Sequence, residues 1–427
     1  MVHSIPNAAQ GPLTAPMADA VSKCVHCGFC LAACPTYREL GQEMDSPRGR
    51  IVLMKEVLEG SLPWESAQPH IDRCLGCLAC EPACPSGVPY RDLISPFRAV
   101  AQPHLTRTPI ERLRRRVTAW TLPYPERFRV AAQLGLLARP LSRWLPAVVR
   151  PLLELLPDRL PPAPNLPAVA AAHGPRRARV ALLTGCAQQV LEPDINAASV
   201  EVLVRQGIEV VIPPGQGCCG GLAWHTGDHE AARRFARHNL DAFPEDVDAI
   251  LTNAAGCGSA LHEYPLILRG TPDEARARTW AGRVEDISAF LVRIGFRPPR
   301  RMLKTTVAYQ DACHLANAQG VRSAPRELLR ALPGVELREL ASAELCCGSA
   351  GTYNLDQPDL AARLGEAKAR ALLATGAEQA VSGNIGCLTQ LNHHLRRLGA
   401  PLRVRHTVQF LRDALIADDP APDLHRP

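Results

Sequence analysis

The stretch CVHCGFCLAACP, residues 24–35, decides the fold of the first part of the chain, and CLGCLACEPACP, residues 74–85, repeats its pattern fifty residues later. Both stretches have the spacing Cys-x2-Cys-x2-Cys-x3-Cys-Pro. In such a run the first three thiolates bind one 4Fe-4S cluster, and the fourth thiolate binds the cluster of the other run. Two 4Fe-4S clusters are therefore predicted. The expected ligands are Cys24, Cys27, Cys30 and Cys84 for the first cluster, and Cys34, Cys74, Cys77 and Cys80 for the second.

Zinc sites and disulfide frameworks are the alternatives, because both also use closely spaced cysteines. A zinc site does not need the third cysteine of each run or a fourth one before proline. Disulfides belong mainly to exported proteins, and the chain does not open with a charged region followed by a long apolar segment. No run of about 18 apolar residues occurs, so no membrane-spanning helix is expected. The sequence therefore favours clusters in a soluble or peripheral protein.

A basic segment follows the two cysteine runs. The formal net charge is +6, and residues 112–159 hold ten arginines against three acidic residues. This segment is expected either to lie on an anionic membrane face or an acidic subunit, or to be a solvated connector with its arginines in water. Several prolines prevent one long helix there, namely Pro123, Pro125, Pro140, Pro146, Pro151 and Pro157. Nucleic-acid binding is not expected, because no aromatic platform or DNA-binding motif accompanies the charge.

The remaining eight cysteines form a second repeat in the C-terminal half. They are Cys186, Cys218, Cys219 and Cys257, which we call the first quartet, and Cys313, Cys346, Cys347 and Cys387, the second quartet. Corresponding cysteines are 127, 128 and 130 residues apart. Near-constant offsets of this size predict two similar units of small-domain length.

Each unit shows the pattern of an α/β fold. Apolar runs at 180–185, 210–213 and 249–252 precede the cysteines of the first quartet, and runs at 306–309 and 379–382 precede Cys313 and Cys387. Helical stretches at 196–206 and 360–375 separate these runs. Ligands of parallel sheets gather outside the carboxyl ends of the strands, so the thiols of each unit are expected at one sheet edge.

The chain is therefore expected to have four parts. Residues 1–105 would form an α-helical ferredoxin-like domain with both clusters, including a helix over residues 47–58. Residues 106–175 would be the basic connector, which ends in the breaker-rich stretch 160–167. Residues 176–300 and 301–427 would be the two similar α/β cysteine-rich units.

The adjacent cysteines of the quartets, GCCGG at 217–221 and LCCGSAG at 345–351, resemble the cysteine-rich CCG domain of heterodisulfide reductases and of iron-sulfur subunits of flavin-linked dehydrogenases. The fuller CCG pattern ends in Cys-x2-Cys, but here Ala254 and Asn384 stand at the first of those positions. Each quartet could hold a further iron-sulfur cluster or zinc, or act as a redox dithiol. His225 and His314 would supply a proton or a neutral ligand near the thiols, or else be ordinary hydrogen-bonded histidines.

Motifs along most of the chain resemble the glycolate oxidase iron-sulfur subunit family, from about residue 20 to 412. They are CVHCGFC at 24–30, SPRGRI at 46–51, CPSG at 84–87, LCCGSAGTY at 345–353 and NIGC at 384–387. Around Cys313 the likeness is looser, because some members of the family have Cys-x-Cys where this chain has DACH at 311–314.

The resemblance implies a subunit of an oxidoreductase. FAD-binding partner subunits would oxidise glycolate, and also D-lactate, while this subunit relays electrons to quinone or another membrane acceptor. It would lie on the cytoplasmic face of the inner membrane. The chain has no Gly-x-Gly-x-x-Gly fingerprint or Walker motif, so the flavin is expected on the partner, and no catalytic residue is assigned.

Other functions remain open. The chain could be the iron-sulfur subunit of a lactate or glycerol-3-phosphate dehydrogenase. It could also be a heterodisulfide-reductase-like thiol-disulfide reductase that acts through the Cys-Cys pairs, or a scaffold that holds zinc without electron transfer.

Overall fold

The computed structural model describes residues 5, 11–144 and 150–418 of the chain. Pro146 and the outermost residues of the first and last predicted domains lie outside the described residues. No helix in the described ranges is both long enough and apolar enough to cross a lipid bilayer.

The first hundred residues form a helical unit around the two cysteine runs. Its helices are α1 (Thr14–Ser22), α2 (Pro35–Leu40), α3 (Pro47–Leu58), α4 (Trp64–Asp72) and α5 (Arg91–Ala101). The helix predicted over residues 47–58 forms as α3. It begins at Pro47 because the side chain of Ser46 accepts a hydrogen bond of 3.0 Å from the backbone N of Gly49. The core of the unit includes Met17, Met54 and Phe97.

The basic segment folds into helices α6 (Pro109–Thr121), α7 (Pro125–Ala138) and α8 (Arg150–Leu155). Thr108 and Glu111 form a capping box at the start of α6, and the chain turns between α6 and α7 near Pro123. The arginines divide between two sides: Arg112 and Arg116 are exposed, whereas Arg114 and Arg115 are half-buried. Arg114 and Arg115 are turned towards the protein, where they donate to the carbonyls of Leu355 and Thr226.

The first α/β unit has a five-stranded sheet of order β1-β3-β2-β4-β5. Its elements are β1 (Val169–Ala170), β2 (Ala178–Leu183), α9 (Gln188–Leu191), α10 (Asp194–Arg205), β3 (Ile208–Val211), α11 (Gly221–His225), α12 (His229–Ala242), β4 (Ala249–Thr252), α13 (Ala255–His262), α14 (Tyr264–Ile267), α15 (Glu274–Ala281), β5 (Val284–Asp286) and α16 (Ile287–Arg293). All pairs are parallel except β1 with β3. Val180 of β2 lies opposite Val210 of β3 and Ala249 of β4.

The second α/β unit has a four-stranded, all-parallel sheet of order β7-β6-β8-β9, which repeats the order β3-β2-β4-β5 of the first unit. Its elements are β6 (Thr305–Gln310), α17 (Ala324–Ala331), β7 (Val335–Glu339), α18 (Tyr353–Asp356), α19 (Pro358–Ala374), β8 (Gln379–Ser382), α20 (Ile385–Arg397), β9 (Val404–His406) and α21 (Thr407–Asp418). The predicted α/β fold class is confirmed in both units.

The two sheets share one hydrophobic core. Buried residues of β2 and α10 and buried residues of β6, β8 and α21 belong to the same cluster. At its edge Asp194 of α10 accepts hydrogen bonds from Arg412 (2.5 Å) and Gln409 (2.8 Å) of α21. Because the units pack in this way, the carboxyl ends of both sheets are held in a fixed relation.

Candidate iron-sulfur centres

The first cysteine set surrounds a small cavity at the edge of the helical unit. Cys24, Cys27, Cys30 and Cys84 line a cavity of about 30 Å³ together with Cys80. Burial raises the pKa of the Cys30 thiol to about 11. Ionised thiolates here therefore need a nearby positive charge, which bound iron would supply. The soft, closely grouped thiols suit an iron-sulfur cluster.

The second cysteine set surrounds a neighbouring cavity deeper in the protein. Cys34, Cys74, Cys77 and Cys80 line this cavity of about 20 Å³. All four are buried, whereas Cys27 of the first set is exposed. Pro47 and Tyr90, like Cys80, line both cavities. In each cavity the structure thus brings together the four cysteines that were expected to bind one cluster.

Two arginines of α3 serve the two cavities. Arg48 lines the first cavity, and its Nη1 donates to the carbonyl of His26 at 3.2 Å. Arg50 is fully buried at the second cavity, with Nη1 3.8 Å from Cys34 Sγ and Nη2 3.0 Å from Thr36 Oγ1. Burial opposes ionisation of Cys74, but the charges of Arg50 and Arg98 outweigh it and hold the pKa of Cys74 below its usual value.

Sequence reasoning noticed the SPRGRI stretch only as a family likeness and assigned no role to its arginines. Fully buried arginines are rare. The sequence therefore gives no sign that an arginine on a helix occupies a buried position. Their place directly after the capping residue Ser46, on the helix between the two cluster motifs, is the one signal that could have identified them.

The first quartet lies at the carboxyl ends of β2, β3 and β4, as predicted. Cys218 Sγ lies 3.6 Å from Cys186 Sγ. The backbone N of Gly220 donates to Cys218 Sγ, and that of Gly221 donates to Cys219 Sγ, both at 3.4 Å. Hydrogen bonds from the thiols of Cys218 and Cys257 hold the pKa of Cys219 well below its usual value. This quartet therefore stabilises one thiolate even without a metal.

The second quartet repeats this arrangement at the ends of β6, β7 and β8. Cys313 Sγ lies 3.8 Å from Cys346 Sγ. Hydrogen bonds from Cys346 and Cys387 hold the pKa of Cys347 well below its usual value. Asn384, which stands where the fuller CCG pattern has a cysteine, donates from Nδ2 to Cys387 Sγ at 3.5 Å. A hydrogen bond to sulfur thus replaces a possible fifth thiolate.

The whole first quartet and one cysteine of the second, Cys313, line a large cavity between the two α/β units and the helical unit. Its volume is about 330 Å³, and five of its lining residues are the cysteines Cys186, Cys218, Cys219, Cys257 and Cys313. Cys74 of the second cysteine set also reaches this cavity. In the described ranges there is no group of three or more His, Cys, Asp or Glu side chains whose present positions would hold a single metal ion.

His225 and His314 also line this cavity, with ring centroids 5.4 Å apart. Nδ1 of His225 lies 3.2 Å from Ser95 Oγ, and Nε2 of His314 lies 3.0 Å from the carbonyl O of Gly76. The other ring nitrogen of each is buried without a hydrogen-bond partner among the described residues. Burial lowers the pKa of both, so the rings are neutral. Both histidines therefore join the helical unit to the quartets.

The loop of the second cysteine set packs directly on the second α/β unit. Asn317 donates from Nδ2 to the carbonyl of Cys77 at 3.1 Å, and Tyr353 donates from its hydroxyl to the carbonyl of Arg73 at 2.9 Å. Leu75 and Cys77 share a hydrophobic cluster with Cys346. The second cavity and the second quartet are therefore in contact through a single layer of side chains.

Comparisons with known proteins agree with these sites. A 4Fe-4S dicluster domain matches residues 20–88, and a cysteine-rich domain, CCG, matches residues 180–262 and 307–392. The predicted iron-sulfur clusters and the predicted domain types are thereby confirmed.

Similar proteins cover nearly the whole chain. The chain is 38% identical over 414 residues to a probable glycolate oxidase iron-sulfur subunit of Bacillus subtilis, covering 92% of this chain and 93% of that protein. It is 38% identical over 407 residues to the glycolate oxidase iron-sulfur subunit of Escherichia coli, covering 93% and 95%. A lactate utilization protein A of Bacillus cytotoxicus is 31% identical over 235 residues, which are 55% of this chain and 98% of that protein. The chain belongs to the family of glycolate oxidase iron-sulfur subunits.

Proposed function

We propose that this chain is the electron-relay subunit of a flavin-linked complex that oxidises glycolate, and D-lactate as a second substrate, to the 2-oxo acid. Oxidation of the alcohol releases two electrons and two protons, which FAD on a partner subunit would accept and pass on one electron at a time. The observation that carries the proposal is the continuous series of thiol-lined cavities, from an exposed loop to the buried quartets, in a member of this family.

The ligands follow from the cavities. Cys24, Cys27, Cys30 and Cys84 would hold the first 4Fe-4S cluster, and Cys34, Cys74, Cys77 and Cys80 the second. The two quartets would each hold a further cluster, and the pKa of Cys219 and of Cys347 is held below its usual value by the neighbouring thiols. Each cluster supplies a one-electron acceptor and donor.

Electrons would enter at the first cavity and leave through the quartets. Val25 and Phe29 in the loop of the first cysteine run are 67% and 69% exposed, which suits docking of a flavoprotein close to the first cluster. The second cysteine set lies between this loop and the second quartet. The exposed loop at the first cavity is what supports entry of electrons at that end.

The connector face is the surface that would touch the membrane. We define it as the exposed apolar residues Ile110, Leu113, Val117 and Trp120 of α6 and Val130, Leu134 and Leu137 of α7. Arg112, Arg116 and Arg127 are exposed beside it, and Arg127 stacks on Trp120 and Tyr124 at 4.9 and 4.2 Å from the ring centroids. Apolar and cationic groups together match an anionic lipid surface. The other side of α6 lines the large cavity, so a membrane acceptor such as quinone would find the quartets nearby.

Vesicle flotation tests the connector face. Trp120→Glu should weaken binding to vesicles containing phosphatidylglycerol by about tenfold, whereas Met302→Glu, on an exposed methionine elsewhere, should not. Equal binding by both variants would show that the connector face does not contact lipid.

The relay itself is tested on the complex purified anaerobically with its partner subunits. Replacing Cys77 by Ser should abolish one cluster's electron paramagnetic resonance signal and glycolate-dependent dye reduction. Cys27→Ser should affect the other cluster. A Cys77→Ser complex with full activity and full iron content would refute the ligand assignment, and zinc without a glycolate-reducible signal would refute the relay.

Lactate is the second candidate substrate of the partner. The similarity to lactate utilization protein A over 235 residues favours it. Parallel assays with glycolate, D-lactate, L-lactate and glycerol 3-phosphate decide between these donors, since cluster reduction should follow the substrate that the flavoprotein oxidises.

A further inference from the structure

The large cavity beside the quartets is far larger than the cavities at the two predicted 4Fe-4S sites. Its volume is about 330 Å³, whereas those two cavities measure about 30 and 20 Å³. The volume lies at the lower end of the range of small-molecule sites, roughly 300 to 1,000 Å³.

One wall of this cavity is basic. Arg98, Arg107, Arg114 and Arg115 line it, and they face three carboxylates, Asp72, Glu111 and Asp356. Arg107 is paired with Asp72 at 3.1 Å, and Arg114 is paired with Asp356. Glu111 accepts from the backbone N of Thr108 at 2.9 Å, as part of its capping box. The arginines of this wall thus outnumber its carboxylates by one, four against three.

Arg115 is the cation left over. Its Nη2 donates to the carbonyl O of Thr226, and no carboxylate pairs with it among the described residues. Arg98, by contrast, donates to the carbonyls of Ile71 (2.8 Å), Cys74 (2.6 Å) and His225 (2.9 Å). Burial and the charge of Arg107 lower the pKa of Arg115, although the charges of Asp356 and Asp72 oppose this shift. An anion beside Arg115 would relieve this repulsion.

Further donors and an apolar wall complete the site. Nε of Arg107 and Nε of Arg114 are buried without a hydrogen-bond partner in the described part of the chain. The lining also has apolar residues, among them Leu75, Leu222 and Ile385. The cavity therefore combines an arginine that has no carboxylate partner with apolar surface.

We propose that this cavity binds a small organic acid, with its carboxylate on Arg115 and its apolar body between the two cysteine quartets. Binding there is separate from oxidation of the hydroxy acid, which belongs to the flavoprotein. A molecule in this position touches the first quartet and Cys313 of the second and lies beside Cys74, so it would perturb the signals of clusters held there.

The test uses the anaerobically purified complex and benzoate as the probe, because benzoate combines a carboxylate with an apolar body. Benzamide, its neutral isostere, should bind at least about tenfold more weakly. Arg115→Gln should weaken benzoate binding to a similar extent, whereas Arg116→Gln, an exposed neighbour on the same helix, should leave it unchanged. Calorimetry measures the affinity, and a benzoate-induced change in the paramagnetic resonance spectrum reports contact with the quartets.

Arg115→Lys is the control for misfolding of Arg115→Gln. It keeps the positive charge but loses the planar guanidinium, so it should retain part of the affinity for benzoate. Equal binding of benzamide, an unaffected Arg115→Gln, displacement of benzoate by an equal concentration of inorganic phosphate, or no binding of benzoate would each overturn the proposal. Glycolate-dependent cluster reduction is measured on the same samples. A complex that is reduced by glycolate but does not bind benzoate contradicts this inference alone, and the converse contradicts the relay alone.

Discussion

Arg48 and Arg50, two residues apart on α3, occupy very different surroundings. Arg48 is partly exposed and pairs with Glu43 at 2.7 Å. Arg50 is buried beside Asp45, whose carboxylate also receives His70 Nδ1 at 3.1 Å and Arg73 Nη1 at 3.0 Å. Each arginine places a positive charge next to one cluster cavity. Such charges raise a cluster's reduction potential, because the extra electron is stabilised.

Arg50→Leu should therefore destabilise the protein and lower the potential of the second cluster. Loss of a buried charge partner typically costs about 3 kcal/mol or more, whereas Arg48→Leu, at the half-exposed pair, should cost at most about 1 kcal/mol. Thermal denaturation and redox titration measure both effects. Equal loss of stability in the two variants would contradict the role given to Arg50.

Glu263 makes stability depend on pH. Burial raises its pKa to about 7, although Trp224 Nε1 donates to its carboxylate. The folded state therefore holds a proton that the unfolded chain releases above about pH 4.5. The resulting stabilisation is complete below pH 4.5 and is lost as the pH rises towards 7. Its upper limit is about 3 kcal/mol.

Glu263→Gln should remove this dependence, since the amide is neutral at every pH. Relative to the unchanged protein, the variant should gain unfolding free energy as the pH rises from 5 to 7.5. Anaerobic denaturation at several pH values measures the difference. Parallel curves for the two proteins would mean that Glu263 ionises normally.

At the scale of elements, α3 separates the two cluster cavities, and its first turn is tightly packed. A Cβ added at Gly49 would lie 2.0 Å from the carbonyl O of Glu43, which is closer than any real Cβ contact. Gly49 is thus required by close approach of two backbones, and its own N–H completes the cap on Ser46.

Gly49→Ala should displace α3 and lower the iron content of both cluster sites, because Pro47 lines both cavities. Gly215→Ala is the matched control, since a Cβ there meets nothing within 4 Å. Iron and sulfide analysis after anaerobic purification measures the outcome. Full cluster content in Gly49→Ala would show that the turn can adjust.

Regular elements were largely predictable, and irregular ones were not. Helix α3 and the strands β2, β4 and β8 follow directly from apolar periodicity and β-branched runs. The two-residue strand β1 depends on pairing with β3, and the π-helical turn at His314–Ala318 depends on packing against the helical unit. Neither β1 nor this turn is marked by a local pattern in the sequence. The inward side of α6 was also missed, because an arginine that lines a cavity and one in water look alike in a sequence.

At the scale of the whole molecule, the repeat predicted two similar units but not that one cavity would be lined by the first quartet and by Cys313 of the second. That arrangement comes from long-range contacts: α10 packs with α21, and Asn384 Oδ1 accepts from the backbone N of Gly256 across the unit boundary at 3.3 Å. The cysteine spacing identified the cluster sites because ligation imposes local geometry. No comparable local rule fixes how two domains meet.

The placement of the first cluster predicts where the flavoprotein docks. Phe29 is exposed in the loop that surrounds this cavity. Cys27, in the same loop, is the one cysteine of the two runs that is classed as exposed in the described chain. Phe29→Glu should slow glycolate-dependent cluster reduction by about tenfold or more, since a buried aromatic anchor contributes at least about 1.4 kcal/mol to docking. Reduction by dithionite and the iron content should stay the same, because the cluster is intact. Leu373→Glu, on the partly exposed side of α19, is the control. If Phe29→Glu is reduced by glycolate as fast as the unchanged subunit, electrons must enter elsewhere, and the direction assigned to the relay is wrong.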